Sequence, residues 1–363
     1  MLFGKTMINV TKSYLPPLEE YIKYLEKIWS SGWLTNNGSF VQELETKLVS
    51  YLGVPHLHYL SNGTIALQIA LRALGVSGEV ITTPFTYVAT TNAILWENCQ
   101  PVFVDIDENT LCIDVEKIEE AITKNTKAIM ATHVYGFPCD VDAISKIAKK
   151  YQLKVIYDAA HAFGCRINDS SILNYGDLSA LSFHATKIFH TVEGGALVSK
   201  EINDSEIINK IRNFGHLGDE YFILGLNGKN SEFHAAMGLC VLDKIPEIIH
   251  KRKILSNCYD NELNGLDIVF QNNQDNFEYN YAYYPVLFRN ELDLFKAIDN
   301  LRSNGINPRR YFFPSLNKLP FLKKDFYCPI SEDISTRILC LPLYDGLNVK
   351  EVKHISYLIK QVL

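Results

Sequence analysis

The chain has 363 residues, of which 47% are hydrophobic and 21% charged; this excludes disordered and fibrous classes and favours one large domain plus a smaller one. Its 35 basic and 41 acidic residues give a net charge of −6, and no Lys/Arg block stands out, which argues against nucleic-acid partners while leaving small anions open. No uncharged run approaches the ~20 residues that span a bilayer, and the N-terminus "MLFGKTMINVTK" lacks a signal-type apolar core, so neither membrane nor export is expected and the cytoplasm is. The eight cysteines include no C-x-x-C pair and read as reduced core thiols, without zinc or disulfides.

From residue 57 to 160 short β-type runs alternate with helical ones. "LHYLS" precedes a helix over 64–74, and "EVITT" precedes one from about Tyr87 to Trp96. "PVFVDI" leads to the helical "DVEKIEEAI". "AIMATHV" leads to "DVDAISKIAKKY", in which Val141, Ile144, Ile147, Ala148 and Tyr151 share one helical face behind an Asp140 cap. "KVIYDAA" reads as a buried strand. Strands separated by helices imply βαβ units and a mostly parallel sheet covered on both faces. After residue 175 the order changes: "LSALSF" and "GGALVS" are strands with only a loop between them. "VLDKIPEIIHKRKILSNCYDNEL" reads as a long helix, kinked or started afresh near Pro246. A smaller domain follows, with the strand "AYYPVLFR", a helix over 291–304 and a terminal helix over 349–363. The expected division is a large domain over 1–245, including the N-terminal segment, and a smaller α+β domain over 246–363.

Ligands of open α/β sheets bind outside the carboxyl ends of the strands. Three polar features fall on that rim. "SNGT" joins a strand to a helix start, where Gly63 and Thr64 offer backbone N–H groups, a hydroxyl and the positive end of the helix dipole; it suits a phosphate or serves as an ordinary cap. Neither G-x-G-x-x-G nor G-x-x-x-x-G-K-[ST] occurs, so dinucleotide and P-loop signatures are missing. Asp158 ends a buried strand, where an ionised carboxylate needs a cationic partner, and a protonated pyridine nitrogen is one. That pairing makes the ring an electron sink, the property pyridoxal phosphate chemistry needs. His161 and Tyr87 are either core residues or neighbours of such a ring. The loop "SFHATKIFHTVEGGALV" presents Lys187, an amine suited to carry an aldehyde cofactor and move protons when partly desolvated. Ser182, ending the preceding strand, is placed to donate to the phosphate.

The ordered motifs "SNGTIAL", "TTPFTYVATTNAI", "PVFVDID", "ATHVYGFPCD", "DAAHAFG", "SFHATKIFHTVEGGALV" and "RNFG…GLNGKNSEFHAA" together resemble the DegT/DnrJ/EryC1/StrS family of sugar aminotransferases, from about residue 8 to the C-terminus. The resemblance implies an α/β aspartate-aminotransferase-like fold (fold type I) and a homodimer with shared active sites. It also implies pyridoxal phosphate on Lys187, Asp158 at the pyridine nitrogen, His161 and Tyr87 against the ring, and Gly63, Thr64 and Ser182 at the phosphate. Asn227 matches an asparagine that reaches the phosphate of the neighbouring subunit. Lys229-Asn230 stands where many relatives carry Arg-Met around the nucleotide diphosphate. "GINPRRYFFPSLNKLP" lies where relatives bind the far end of the substrate, which points to Arg309 and Tyr311. The reaction implied is transfer of the amino group of L-glutamate to C4 of dTDP-4-dehydro-6-deoxy-D-glucose, for O-antigen or another surface polysaccharide. The alternatives are a C3 aminotransferase of a dTDP-3-keto sugar and a non-catalytic regulatory member.

Overall fold

Two apolar periodicities meet in one sheet. The computed structural model describes residues 7–266 and 276–363, so the first six residues of the N-terminal stretch lie outside it. Seven strands form the central sheet: β1 (His56–Leu60), β2 (Glu79–Thr82), β3 (Gln100–Phe103), β4 (Thr126–Thr132), β5 (Lys154–Asp158), β6 (Leu178–Ser182) and β7 (Gly195–Ser199). They lie in the order β1-β7-β6-β5-β4-β2-β3. All pairs are parallel except those of β7, which runs antiparallel to β6 and β1. The reason is local: the 183–194 loop contains no helix, and a parallel return would need a crossover.

The helices used below are α1 (Leu18–Ser31), α2 (Ser39–Leu52), α3 (Gly63–Ala73), α4 (Val88–Trp96), α5 (Val141–Tyr151), α6 (Ile202–Arg212), α7 (Glu232–Leu242), α8 (Ile245–Leu263), α9 (Glu291–Ser303), α10 (Pro329–Arg337) and α11 (Val349–Lys360). Alternation along the strands feeds two different cores. Ala128, Met130 and Ile156 pack with Leu67 and Ile69 of α3 and Ile208 of α6. Ile129, Ala131, Val155 and Tyr157 pack on the other side with Ile144 and Ile147 of α5. Burying both faces explains why these strands are almost continuously apolar, and each fully buried aliphatic side chain contributes about 1.5–3 kcal/mol.

A separate core joins Tyr259 of α8, Ile298 of α9 and Ile355 of α11 to a small antiparallel sheet. That sheet consists of β8 (Tyr284–Leu287) and β9 (Ile338–Leu341). The N-terminal residues Ile8–Asn9 run parallel to Ile306–Asn307, so the chain start is tied to this C-terminal part.

Two expectations are corrected and one alternative is decided. "DVEKIEEAI" forms only a 3₁₀ turn (Val115–Lys117) and the four-residue helix Ile118–Ala121. The helix stops where hydroxyls take over backbone groups: Thr126 Oγ1 accepts from Thr123 N at 2.9 Å and Thr123 Oγ1 from Asn125 N at 3.0 Å. On α5, Asp140 does cap, accepting from Ala143 N at 2.9 Å, but Tyr151 is 36% exposed and donates to Glu119 at 2.8 Å, because its hydroxyl needs a partner that the apolar face lacks. The helix expected to kink or start afresh near Pro246 does start afresh: α8 begins at Ile245 with Pro246 in its first turn, where a missing N–H breaks no helical bond, and the residues before it belong to a separate helix, α7, that runs from Glu232 to Leu242.

Candidate active site

A cavity of about 260 Å³ opens at the carboxyl ends of β5 and β6. Its lining brings together Gly63, Thr64, Tyr87, Asp158, His161, Ser182, Lys187, Arg309 and Tyr311, nine residues singled out from sequence that lie as many as 248 positions apart, from 63 to 311.

Asp158 is the last residue of β5 and is buried. Its Oδ1 accepts from Ala160 N at 3.1 Å and its Oδ2 from Thr90 Oγ1 at 2.6 Å. Burial raises its carboxyl above the ordinary range, while those two bonds and the charge of Lys187 pull the other way. Lys187 is the cation that faces it. No salt bridge to Asp158 occurs among the described residues, so the carboxylate retains capacity for another positive group.

The Lys187 loop is held at both ends by aromatic anchors. Phe183 and Phe189 are fully buried and meet edge-to-face at 4.7 Å, and Phe189 stacks on Phe163 at 4.6 Å. Phe183 N donates to Gly194 O at 2.8 Å and Thr191 N to Phe183 O at 3.0 Å, closing the loop at its neck. Between these anchors Lys187 points into the pocket, with Nζ 6.0 Å from the Tyr283 ring centre. Burial pushes its amine down to about 8; Asp158 and Tyr87 pull it up and Arg309 pushes it down. A nucleophilic free amine is therefore accessible near neutral pH.

His161 Nδ1 accepts from Tyr135 N at 3.2 Å, which leaves the ring proton on Nε2. Burial, reinforced by Lys187, holds this imidazole well below its ordinary range, so it is neutral. Its ring lies parallel to Phe312, 5.6 Å away, at the pocket wall. Tyr87 caps α4 from outside and is 54% exposed, so it is an aromatic presented to the cavity and not a core residue.

The cradle is set by close backbone approach. Asn62 caps α3, its side chain accepting from Ile65 N at 2.9 Å, and the first N–H groups of that helix, at Gly63 and Thr64, have no partner inside it. A Cβ on Gly63 would sit 3.0 Å from Ser182 Cβ, and one on Gly195 only 2.4 Å from the carbonyl carbon of Asn62. Glycine at both positions is thus what lets α3 press its N-terminus against the end of β6. Unpaired amides, a threonine and a serine hydroxyl converge there, the donor set of a phosphate site. With an amine and a buried carboxylate across the cavity, the residues fit pyridoxal phosphate. Among the described residues no group of three or more His, Cys, Asp or Glu is arranged to hold a metal ion.

Asn227 and Lys229 do not line this cavity. Asn227 bridges to Asn213, and the next carbonyl, Gly228 O, accepts from Ser61 N at 2.9 Å, so the segment runs beside the cradle without entering it. Lys229 Nζ lies 4.6 Å over the Phe214 ring. Asn230 braces the Lys187 loop, donating to Glu193 O at 2.8 Å and to the Tyr59 hydroxyl at 3.0 Å. Sequence reasoning missed Thr90, Thr86, Tyr283 and Phe312. None carried a signal: Thr86 and Thr90 sit in a stretch that also holds Thr82, Thr83 and Thr91, and the others reach the pocket from the C-terminal part of the chain.

The sequence profile of the DegT/DnrJ/EryC1/StrS aminotransferase family matches residues 18–360. The chain belongs to that family. It is 44% identical to the dTDP-4-amino-4,6-dideoxy-D-glucose transaminase of Shigella dysenteriae over 98% of this chain and 99% of the relative. Among solved structures it is similar to DesI in the presence of its TDP-sugar product, with a TM-score of 0.93, 31% identity, and 99% of this chain and 93% of that one covered. It is also similar to the PLP form of the putative sugar aminotransferase Spr1654 from Streptococcus pneumoniae, with a TM-score of 0.89, 26% identity, and 97% and 100% coverage. The α/β architecture with a mostly parallel sheet is therefore that of the sugar aminotransferases.

Proposed function

We propose that this protein is a pyridoxal-phosphate-dependent aminotransferase that moves the amino group of L-glutamate to C4 of dTDP-4-dehydro-6-deoxy-D-glucose, giving dTDP-4-amino-4,6-dideoxy-D-glucose. The observation that carries the reading is the juxtaposition of Lys187 with a buried Asp158 across one cavity, in a chain near-identical in length to a relative of that activity. Bound pyridoxal phosphate supplies an aldehyde and an electron-withdrawing ring.

The chain's residues do the rest. Lys187 would hold the aldehyde carbon, and its Nζ takes and returns a proton, helped by an amine pushed down to about 8. Asp158 would hold the protonated ring nitrogen. The Gly63 and Thr64 amides and the hydroxyls of Thr64 and Ser182 would hold the phosphate, and Tyr87 and His161 the ring. A neutral His161 adds no positive charge beside the ring nitrogen. Arg309 and Tyr311 line the cavity, where the guanidinium lies 4.6 Å from the Tyr311 ring, and would meet the sugar nucleotide; Lys229, outside this cavity, would meet the diphosphate.

The protein acts as a homodimer in which Asn227 of one protomer reaches the phosphate site of the other. That assignment is supported by Asn227 lying outside its own cavity, with Gly228 bonded at the rim. The chain divides into a cofactor domain over 1–245 and a smaller domain over 246–363. It works in the cytoplasm and supplies a surface polysaccharide such as O-antigen; among the described residues no helix is long and apolar enough to cross a membrane. The test is to incubate the holoenzyme with L-glutamate and a panel of keto-sugar nucleotides and to determine each product by NMR. A 4-amino product from the dTDP-4-keto sugar is expected, and a 3-amino product would overturn the reading.

A further inference from the structure

Against Asp158 runs a row of three buried hydroxyls that the proposed chemistry does not use; Thr86 and Thr132 also line the cavity, and Thr90 does not. Thr90 Oγ1 donates to Asp158 Oδ2 at 2.6 Å, Thr86 Oγ1 lies 3.0 Å from Thr90 Oγ1, and Thr132 Oγ1 donates to Thr86 Oγ1 at 3.1 Å. All three threonines are buried. They come from separate places: Thr132 ends β4, directly opposite Asp158 in the strand register, Thr86 precedes α4, and Thr90 lies in the first turn of α4.

The direction of the row follows from valence. Each hydroxyl has one proton. An ionised Asp158 can only accept, so Thr90 spends its proton there and must accept from Thr86, which in turn accepts from Thr132. Every proton then points toward the carboxylate, and such aligned chains polarise one another. A buried threonine in a helix commonly returns its hydroxyl to the carbonyl four residues back; Thr90 instead gives it to a side chain 68 residues away. Its β-branched side chain has few rotamers, so the donor is held in place.

We propose that Thr90, backed by Thr86 and Thr132, is a positioning residue that keeps Asp158 ionised and aimed at the ring nitrogen of the cofactor. The inference rests on the reading that Asp158 meets that nitrogen. Burial by itself favours the protonated acid, and a protonated acid would no longer balance a pyridinium. The titratable groups that face Asp158 are Lys187, on the loop between β6 and β7, and His161, beyond β5; Thr132 of β4, Thr90 of α4 and Thr86, two residues before α4, present the hydroxyls. α4 therefore sets two features at once, the Tyr87 ring at its cap and the grip on Asp158 one turn later.

The test uses holoenzyme loaded with cofactor labelled with ¹⁵N at the ring nitrogen. Thr90→Val keeps the shape and deletes the donor, Thr90→Ser keeps the donor, and Asp158→Asn is run in parallel. In Thr90→Val the nitrogen signal should move toward its unprotonated position, cofactor affinity should fall about tenfold, and kcat should fall with KM for the sugar unchanged, as expected for losing one hydrogen bond to a charged group. Thr90→Ser should restore the signal and the affinity. Should Thr90→Val fail to fold, Thr86→Val cuts the row one link back and should move the same signal in the same direction by less. A wild-type signal in Thr90→Val while Asp158→Asn shifts it would overturn the role of Thr90; so would a Thr90→Ser variant that behaves like Val. An unmoved signal in Asp158→Asn would instead overturn the underlying reading of Asp158.

Discussion

The two walls of the cavity are built in different ways. One wall is carried on strand ends and helix starts: Gly63 and Thr64 open α3, Asp158 ends β5, Ser182 ends β6, and Lys187 sits on a loop pinned by Phe183 and Phe189. The opposite wall comes from irregular chain beyond the sheet, with Tyr283 before β8 and Arg309, Tyr311 and Phe312 after α9. The first wall is rigid because its backbone belongs to ladders and helices and close approaches of glycine leave no slack. The second is held by ring packing, such as Tyr283 on Tyr311 at 5.5 Å and Phe312 on Tyr135 at 5.8 Å. On the proposed reading, chemistry common to a cofactor belongs on the rigid wall, while the wall that would meet a variable sugar nucleotide can change without disturbing the sheet.

Substitutions on the rigid wall should therefore have the larger effects. Lys187→Ala should lower turnover by roughly 10⁴-fold or more, because it deletes both the covalent handle and the proton carrier, while the cofactor still binds. Borohydride reduction followed by peptide mapping of the wild type should label Lys187; another labelled lysine would break the assignment. Asp158→Asn should preserve the fold and lower both half-reactions by about 10³-fold, read by single-turnover kinetics with glutamate and with the sugar. Near-wild-type rates would reject its role.

Gly195→Ala tests whether close backbone approach matters. Its new Cβ would fall 2.4 Å from Asn62, so the cradle must shift, and cofactor affinity by equilibrium dialysis should drop about tenfold to a hundredfold while thermal stability changes far less. A wild-type affinity would show that the cradle has slack. The shared-site proposal calls for a mixing experiment: inactive Lys187→Ala and Asn227→Asp subunits should regain about a quarter of wild-type activity when exchanged in equal amounts, since half the dimers are mixed and each has one good site of two. No recovery despite proven exchange would refute sharing. The smallest effect is in pH. In cofactor-free protein the reaction of Lys187 with an amine-specific reagent should rise with an inflection near pH 8. The folded amine is lowered from its ordinary 10.5, so folding is penalised below about pH 8, where both states are charged, and stability should increase as pH rises from about 8 to 10.5. Lys187→Met should lack that increase in thermal melts.

Much of the rigid wall was legible along the chain. Alternating apolar runs and caps mark strand ends, and strand ends are where polar residues of an α/β sheet become a rim, so Asp158, Ser182 and the Gly63–Thr64 start stand out without a structure. Lys187 stands out because it interrupts two strands. Thr90 did not, although it bonds directly to Asp158, because a threonine in an apolar helix reads the same whether it bonds its own backbone or a carboxylate on another element.

What the sequence determined by itself was the period of its elements, their order, and the chemical types collected at their ends, since those depend on neighbours a few residues apart. Tertiary structure decided the partnerships that bridge long separations. Buried Glu232 of α7 accepts from Phe40 N at 2.8 Å and Val41 N at 3.1 Å, across as many as 192 positions, and so caps α2. Asp105 does the same for α10, accepting from Ile330 N and Ser331 N, both at 2.9 Å. Tyr283, Arg309 and Phe312 reach the pocket only once the C-terminal part has packed against the sheet. A carboxylate or an aromatic ring carries no mark in the sequence of which distant amide or cavity it will meet; that is chosen by the one packing that buries the apolar cores together and leaves the fewest polar groups unpaired.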